Sequence, residues 1–153
     1  MLKSLVARVW RGSPRFVRRA GVWLTQPRFT VTAGVVVSDE RGRVLLLRHT
    51  LRGGSGWGIP GGFLERSEQP EEAIRRELRE EVGIELASAR VAFARTLEKF
   101  RQVEIIYLCR LAPGQEAAPR SIEISDVEWF APEALPPELH AEQHRIIRRA
   151  LTA

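Results

Sequence analysis

The chain of 153 residues has one cysteine, Cys109. That excludes an internal disulfide framework and any multi-cysteine zinc site. Ile105, Ile106, Tyr107 and Leu108 precede it, so the thiol is expected inside a buried strand. The chain also has few histidines, and His49, His140 and His144 show neither triad nor metal spacing. No apolar run is long enough to span a bilayer, and no secretory apolar core with a cleavage site is present. A cytoplasmic location is expected, with peripheral membrane association left open. No repeat or low-complexity tract interrupts the chain. With 44% hydrophobic and 28% charged residues, the composition is that of one globular domain.

Acidic residues are absent before Asp39, whereas Lys3, Arg8, Arg11, Arg15, Arg18, Arg19 and Arg28 all precede it. The remaining 17 basic and 19 acidic residues nearly balance, so the net charge of +5 belongs to the N-terminus. A basic body of the kind that grips nucleic acid is therefore not expected. Residues 1–27 read as a basic, amphipathic, helical extension, distinct from a domain at 28–153. Leu2, Leu5, Val6, Val9 and Trp10 form one helical stripe. Phe16, Val17, Ala20, Trp23 and Leu24 form a second, with Gly12-Ser13-Pro14 between them and Gln26-Pro27 ending it. Packing on the domain or on a second subunit, as in a homodimer, is the leading reading of these stripes. Contact with an anionic membrane surface and nucleic-acid binding or targeting remain alternatives.

In the body, residues 28–37 and 43–48 are β-rich on either side of a Ser38-Asp39-Glu40-Arg41-Gly42 turn and predict a hairpin. Residues 49–58 read as a glycine-rich loop. Pro70 to Val82 predicts a helix, with Pro70 at its first position and Gly83 beyond its end. Residues 87–97 and 103–111 predict another strand pair. Residues 126–130 predict a short strand, and 138–151 a closing helix.

On the central helix, Ile74, Leu78 and Val82 share an apolar arc, while Glu77, Glu80 and Glu81 share the neighbouring one. Nothing in the apolar pattern requires three mutually repelling carboxylates there. A hard divalent cation such as Mg²⁺, or Mn²⁺ in its place, would stabilise the cluster and recruit substrate phosphates. The alternative is an ordinary charged helix, with Glu72–Arg76 and Arg76–Glu80 at ion-pair spacing.

The loop before the helix shifts that balance. Gly62, Glu68, Arg76-Glu77-Leu78, Glu80-Glu81 and Gly83-Ile84 occupy every defined position of the Nudix box, so residues 28–151 resemble the Nudix hydrolases. The resemblance implies an α/β/α sandwich with a mixed sheet. It also implies Mg²⁺-dependent hydrolysis of a nucleoside diphosphate linked to another moiety. Glu80 and Glu81 would be metal ligands, and Glu77 a ligand or the base for water. Arg76 would orient Glu77, and Glu68 would support the box. The Gly61 carbonyl is a further ligand in MutT-like members. Those members carry a Glu six residues before a Trp; Glu123 stands so to Trp129, with Glu98 and Glu104 as rivals.

Arg48 and Arg52 are candidates for phosphate, and Trp57 and Phe29 for base stacking. Residues 99–102 are expected to line the pocket. Phe100 stands near the place where many ADP-ribose hydrolases of the family carry a proline, so no substrate is chosen. A Nudix fold that binds nucleotides without catalysis is the second reading; such folds usually lose a box glutamate, and here all remain.

Overall fold

A computed structural model describes residues 10–51 and 53–153. Helix α1 spans Arg15–Thr25. Strands β1 (Thr30–Ser38), β2 (Val44–His49), β3 (Trp57–Gly58) and β4 (Gly61–Phe63) follow. Helix α2 spans Pro70–Glu81. Strands β5 (Leu86–Leu97) and β6 (Gln102–Leu111) are joined by a 3-10 turn at Glu98–Phe100. Strand β7 (Ile124–Phe130) and helix α3 (Ala141–Leu151) complete the order.

The sheet is mixed, as expected for an α/β/α sandwich. β1 runs parallel to β6 from Thr30↔Gln102 to Ser38↔Arg110, and β5 lies antiparallel on β6. Alternation along β1 divides the core in two. Val35 and Val37 face α2, where they pack with Leu45, Leu47, Ile74, Leu78 and Val82. Val36 faces the other way with Leu46, Ile59, Ile106, Ile146 and Ile147, under α3. Complete burial of a side chain such as Leu78 contributes about 1.5–3 kcal/mol, so these two layers hold both helices on the sheet.

Several expectations need correction. β1 and β2 flank the predicted turn, but their ladder is one pair, Ser38↔Val44. β1 turns instead to β4 and β6, and β2 to β7 and β3. The divergence opens the sheet and admits β4 beside the first half of β1. One short strand thus replaces the end of the expected loop, where Trp57 pairs with Arg48, and a second follows it, with Gly61 to Phe63 paired to Gly34 to Thr32. The last strand starts earlier than predicted, at Ile124, because its ladder continues along β2 to His49. The closing helix starts later, after the turn at Pro136, with His140 as its N-cap. Cys109 is buried on β6 as expected, and burial pushes its thiol up to about 12.

For the N-terminal extension, the domain half of the leading reading is corrected. No residue of α1 is buried, so this helix does not pack its apolar stripe on the domain. The first predicted stripe, Leu2 to Val9, falls outside the described residues.

Candidate active site

Helix α2 begins as its composition requires. Pro70 needs no amide donor, and the Gln69 N–H donates to Glu72 Oε2 at 2.8 Å. Glu72 is thereby a cap and not the partner of Arg76 that its spacing allowed. At the other end Gly83 adopts φ +71°, and its N–H donates to the Leu78 and Arg79 carbonyls. Ala73, Ile74 and Leu78 are buried on the sheet, which fixes the rotation of the helix and swings Glu77 toward β4.

Arg76 is the hub of the site. It donates through Nε to Glu68 Oε1 at 2.8 Å and through Nη2 to Glu68 Oε2 at 3.1 Å. The same Nη2 reaches the Phe63 carbonyl at 3.2 Å. Its Nη1 holds Glu77 Oε1 at 3.0 Å and touches Glu80 Oε2 at 3.4 Å. One planar guanidinium thus ties β4, the following loop and α2 together, which the point charge of a lysine could not do. Glu68 also accepts the Glu65 N–H at 2.8 Å. The Arg76 hydrogen bond, then that backbone donor, hold the Glu68 carboxyl below its ordinary value.

Gly62 brings the helix and β4 close. A Cβ there would lie 2.1 Å from Glu77 Oε1, so only glycine lets this carboxylate rest on the strand. Gly61 is equally constrained, at φ +145° and with its missing Cβ aimed 2.4 Å from the Ala33 carbonyl oxygen. Glu81 is buried and Glu80 exposed. Glu77, Glu80, Glu81 and the Gly61 carbonyl are all hard oxygen donors, which suit Mg²⁺ or Mn²⁺. Among the described residues, no three His, Cys, Asp or Glu side chains already converge as a metal-holding group. Arg76 instead occupies the space between Glu77 and Glu80. Its contact with Glu80 is long and solvent-facing, so it contributes little.

On the opposite face of β4 lies a cavity of about 460 Å³. Gly61 and Gly62 form one wall, Thr32 and Gly34 of β1 the base, and the start of α3 the far side. Trp57 lines it while packing edge-on to Phe130 at 5.4 Å, so it serves core and cavity together. Gln143 is fixed there because its Oε1 accepts the Ile59 N–H at 3.0 Å. Gln102 donates to Thr32 Oγ1 at 2.7 Å. Arg95 bridges Glu104 and Glu142, and Arg145 joins Glu142 from the outside. Arg145 first, and then Arg95, hold the Glu142 carboxyl below its ordinary range.

The sequence candidates divide cleanly. Glu68, Arg76 and Glu77 come together against Gly62 and Phe63, next to Gly61 in the chain, with Glu80 and Glu81 on the same helix. Of the three acidic candidates outside the box, Glu104 lines the cavity. Glu98 is exposed in the 3-10 turn. Glu123 is exposed before β7, where its carbonyl accepts the Thr50 N–H at 2.8 Å, and it does not line the cavity. Arg48 is exposed on β2 and also lies outside the lining, and Arg52 is outside the described residues. Phe29 is carried away from the cavity into a separate hollow with Trp23, Phe100 and Arg101. Of residues 99–102, Gln102 alone lines the main cavity. Glu142, Gln143 and His140 were missed because their only sequence signal is a helix start far along the chain.

The NUDIX domain family pattern matches residues 28–151. The chain is 34% identical over 113 residues to the NAD-capped RNA hydrolase NudC of Chromobacterium violaceum, covering 72% of this chain and 42% of that protein. It is 33% identical over 98 residues to a MutT-like protein of Streptomyces ambofaciens, covering 64% and 61% of the two. The chain thus spans less than two thirds of the length of these relatives. The crystal structure of a MutT NUDIX hydrolase from Burkholderia pseudomallei superposes with a TM-score of 0.68 at 27% identity, over 81% of this chain and 98% of that one.

Proposed function

The chain belongs to the Nudix family, and from that premise we propose that it is a Mg²⁺-dependent hydrolase of nucleoside diphosphates linked to another moiety. The observation that carries this reading is the seat of Glu77. Its carboxylate lies on Gly62, is gripped by Arg76, and stands across β4 from the cavity.

Glu80, Glu81 and the Gly61 carbonyl would hold the cation. Bound there, Mg²⁺ would neutralise diphosphate charge and acidify a coordinated water. Arg76 takes Glu77 Oε1, which leaves Oε2 to accept the proton of the attacking water. Glu68 acts through Arg76, holding the guanidinium at the Phe63 carbonyl so that Glu77 keeps its partner. Trp57, Gln102 and Gln143 suit the nucleoside half, offering an apolar face beside fixed amides. Substitution at phosphorus needs positioning and charge compensation, so no nucleophilic Ser or Cys is required.

A panel of nucleoside-diphosphate compounds incubated with Mg²⁺ or Mn²⁺ tests the reading. A nucleoside monophosphate and a second phosphorylated product are expected from at least one class. Their absence across the panel, with nucleotide still bound, would leave a binding module in place of an enzyme.

A further inference from the structure

Helix α1 has a composition that the hydrolase reading does not use. At about 100° per residue, Trp23, Phe16, Ala20, Leu24 and Val17 cover one continuous arc of about 120°. Arg15, Arg18 and Arg19 lie on the other side, with Val22 among them. The apolar arc is open to solvent: Phe16 is 73% exposed, Leu24 74% and Trp23 62%. Beyond the helix, the Arg28 guanidinium lies 3.7 Å over the Trp23 ring. Trp10, also exposed, lies against Gly21 on the arginine side and is not part of this arc.

We propose that α1 is an interfacial anchor that lays the protein on an anionic lipid surface. Three observations select this occupant. An exposed arc holding Phe, Leu and Val matches acyl chains, whereas a nucleic acid would leave those aliphatic groups in water. The stretch before Asp39 holds seven basic residues and no acidic one in sequence, so the segment complements a negatively charged surface. A second copy of the chain would bring two segments of the same sign together. The Arg–Trp pair also suits the headgroup boundary, where an amphipathic ring and a guanidinium are both accommodated.

The helix is 11 residues long, about 16 Å, and too short to span; no helix among the described residues is long and apolar enough to cross a membrane. It therefore lies in the plane of the surface. Its orientation follows from the arc: Phe16, Trp23 and Leu24 point inward, and the arginines lie at headgroup level.

The test is flotation of the full chain with vesicles of phosphatidylcholine alone, or of phosphatidylcholine with phosphatidylglycerol. Anisotropy with a single-stranded RNA oligonucleotide and light scattering for oligomeric state accompany it. Binding to the anionic vesicles alone is expected. Replacing Arg15, Arg18 and Arg19 by Gln should weaken it on the order of 100-fold. The double substitution Phe16→Asp, Leu24→Asp should abolish it while hydrolysis of a soluble substrate is unchanged. Failure to bind anionic vesicles overturns the proposal, as does binding that survives the double substitution. RNA binding or dimerisation without vesicle binding overturns it as well.

Discussion

Helices α1 and α2 are nearly equal in length, both rich in arginine and both amphipathic, yet they have opposite fates. The apolar arc of α2 disappears under β1 and β2, and its arginines are matched by glutamates within reach: Arg75 by Glu71, Arg76 by Glu68 and Glu77. The arc of α1 stays in water, and no acidic residue in the chain before Asp39 answers its charge. Periodicity therefore says that a helix has an apolar face. It does not say what the face meets. The local balance of charge distinguishes the two, because a helix made to sit in a domain carries its counter-ions with it.

The sharpest way to break the comparison is through charge. Replacing Glu77 by Gln should lower kcat roughly 10²- to 10⁴-fold with the fold intact. Neutralising the α1 arginines should leave turnover of a soluble substrate unchanged. Equal losses in the two helices would erase the distinction between a reactive and a docking surface. Steady-state kinetics on both variants decides it.

Gly62→Ala comes next. The new methyl group would displace Glu77, and a misplacement on the order of 1 Å costs up to about 10²-fold in rate. Because the atom displaced is the end of a flexible side chain, thermal stability should change far less than kcat. A large stability loss with normal kinetics would mean that Gly62 serves the strand and not the carboxylate.

Stability separates the apolar faces. Leu78→Ala should cost about 2–5 kcal/mol in urea unfolding, through lost transfer energy and the cavity left behind. Leu24→Ala should stay within about 0.5 kcal/mol, because its side chain is already in water. A cost at Leu24 close to that at Leu78 would show that α1 packs on the domain.

The smallest effect is titration of Glu68. Its folded carboxyl lies below the ordinary 4.5, held there by Arg76. The stability it adds is whole above that value and is lost as pH falls through the lowered one. The gap between thermal melts of the protein and of Glu68→Gln should therefore narrow as pH falls from 6 to 3. A gap that stays constant over that range would dissociate Glu68 from the ionised network.

Local features were legible because their causes are local. Pro70, the Ile74–Leu78–Val82 spacing and Gly83 fix the span and the rotation of α2 without reference to the rest of the chain. The strands 87–97 and 103–111 were equally readable from β-rich runs on either side of a short connection. β3 and β4 were not. They are two and three residues long and glycine-rich, and they exist because β1 and β2 diverge and leave unpaired backbone beside them. Glu104 could be named as a rival to Glu123 but not preferred, since its place beside the cavity depends on the register Thr32↔Glu104. Phe29 was misplaced for the same reason: it precedes β1, and only the sheet shows which hollow that end borders.

By itself the sequence determined the acidic helix, its start at Pro70 and stop at Gly83, the glycines that precede it, and the segregation of basic charge at the start, since each follows from spacing along one chain. Only the tertiary structure decided that Glu77 rests on Gly62, that Arg76 spans from α2 to β4, that Gln143 is pinned across a cavity by Ile59, and that the face of α1 is left open. Those are pairings between segments far apart along the chain. They are set by which strands share an edge and which layer a helix covers, and no periodicity within one segment encodes them.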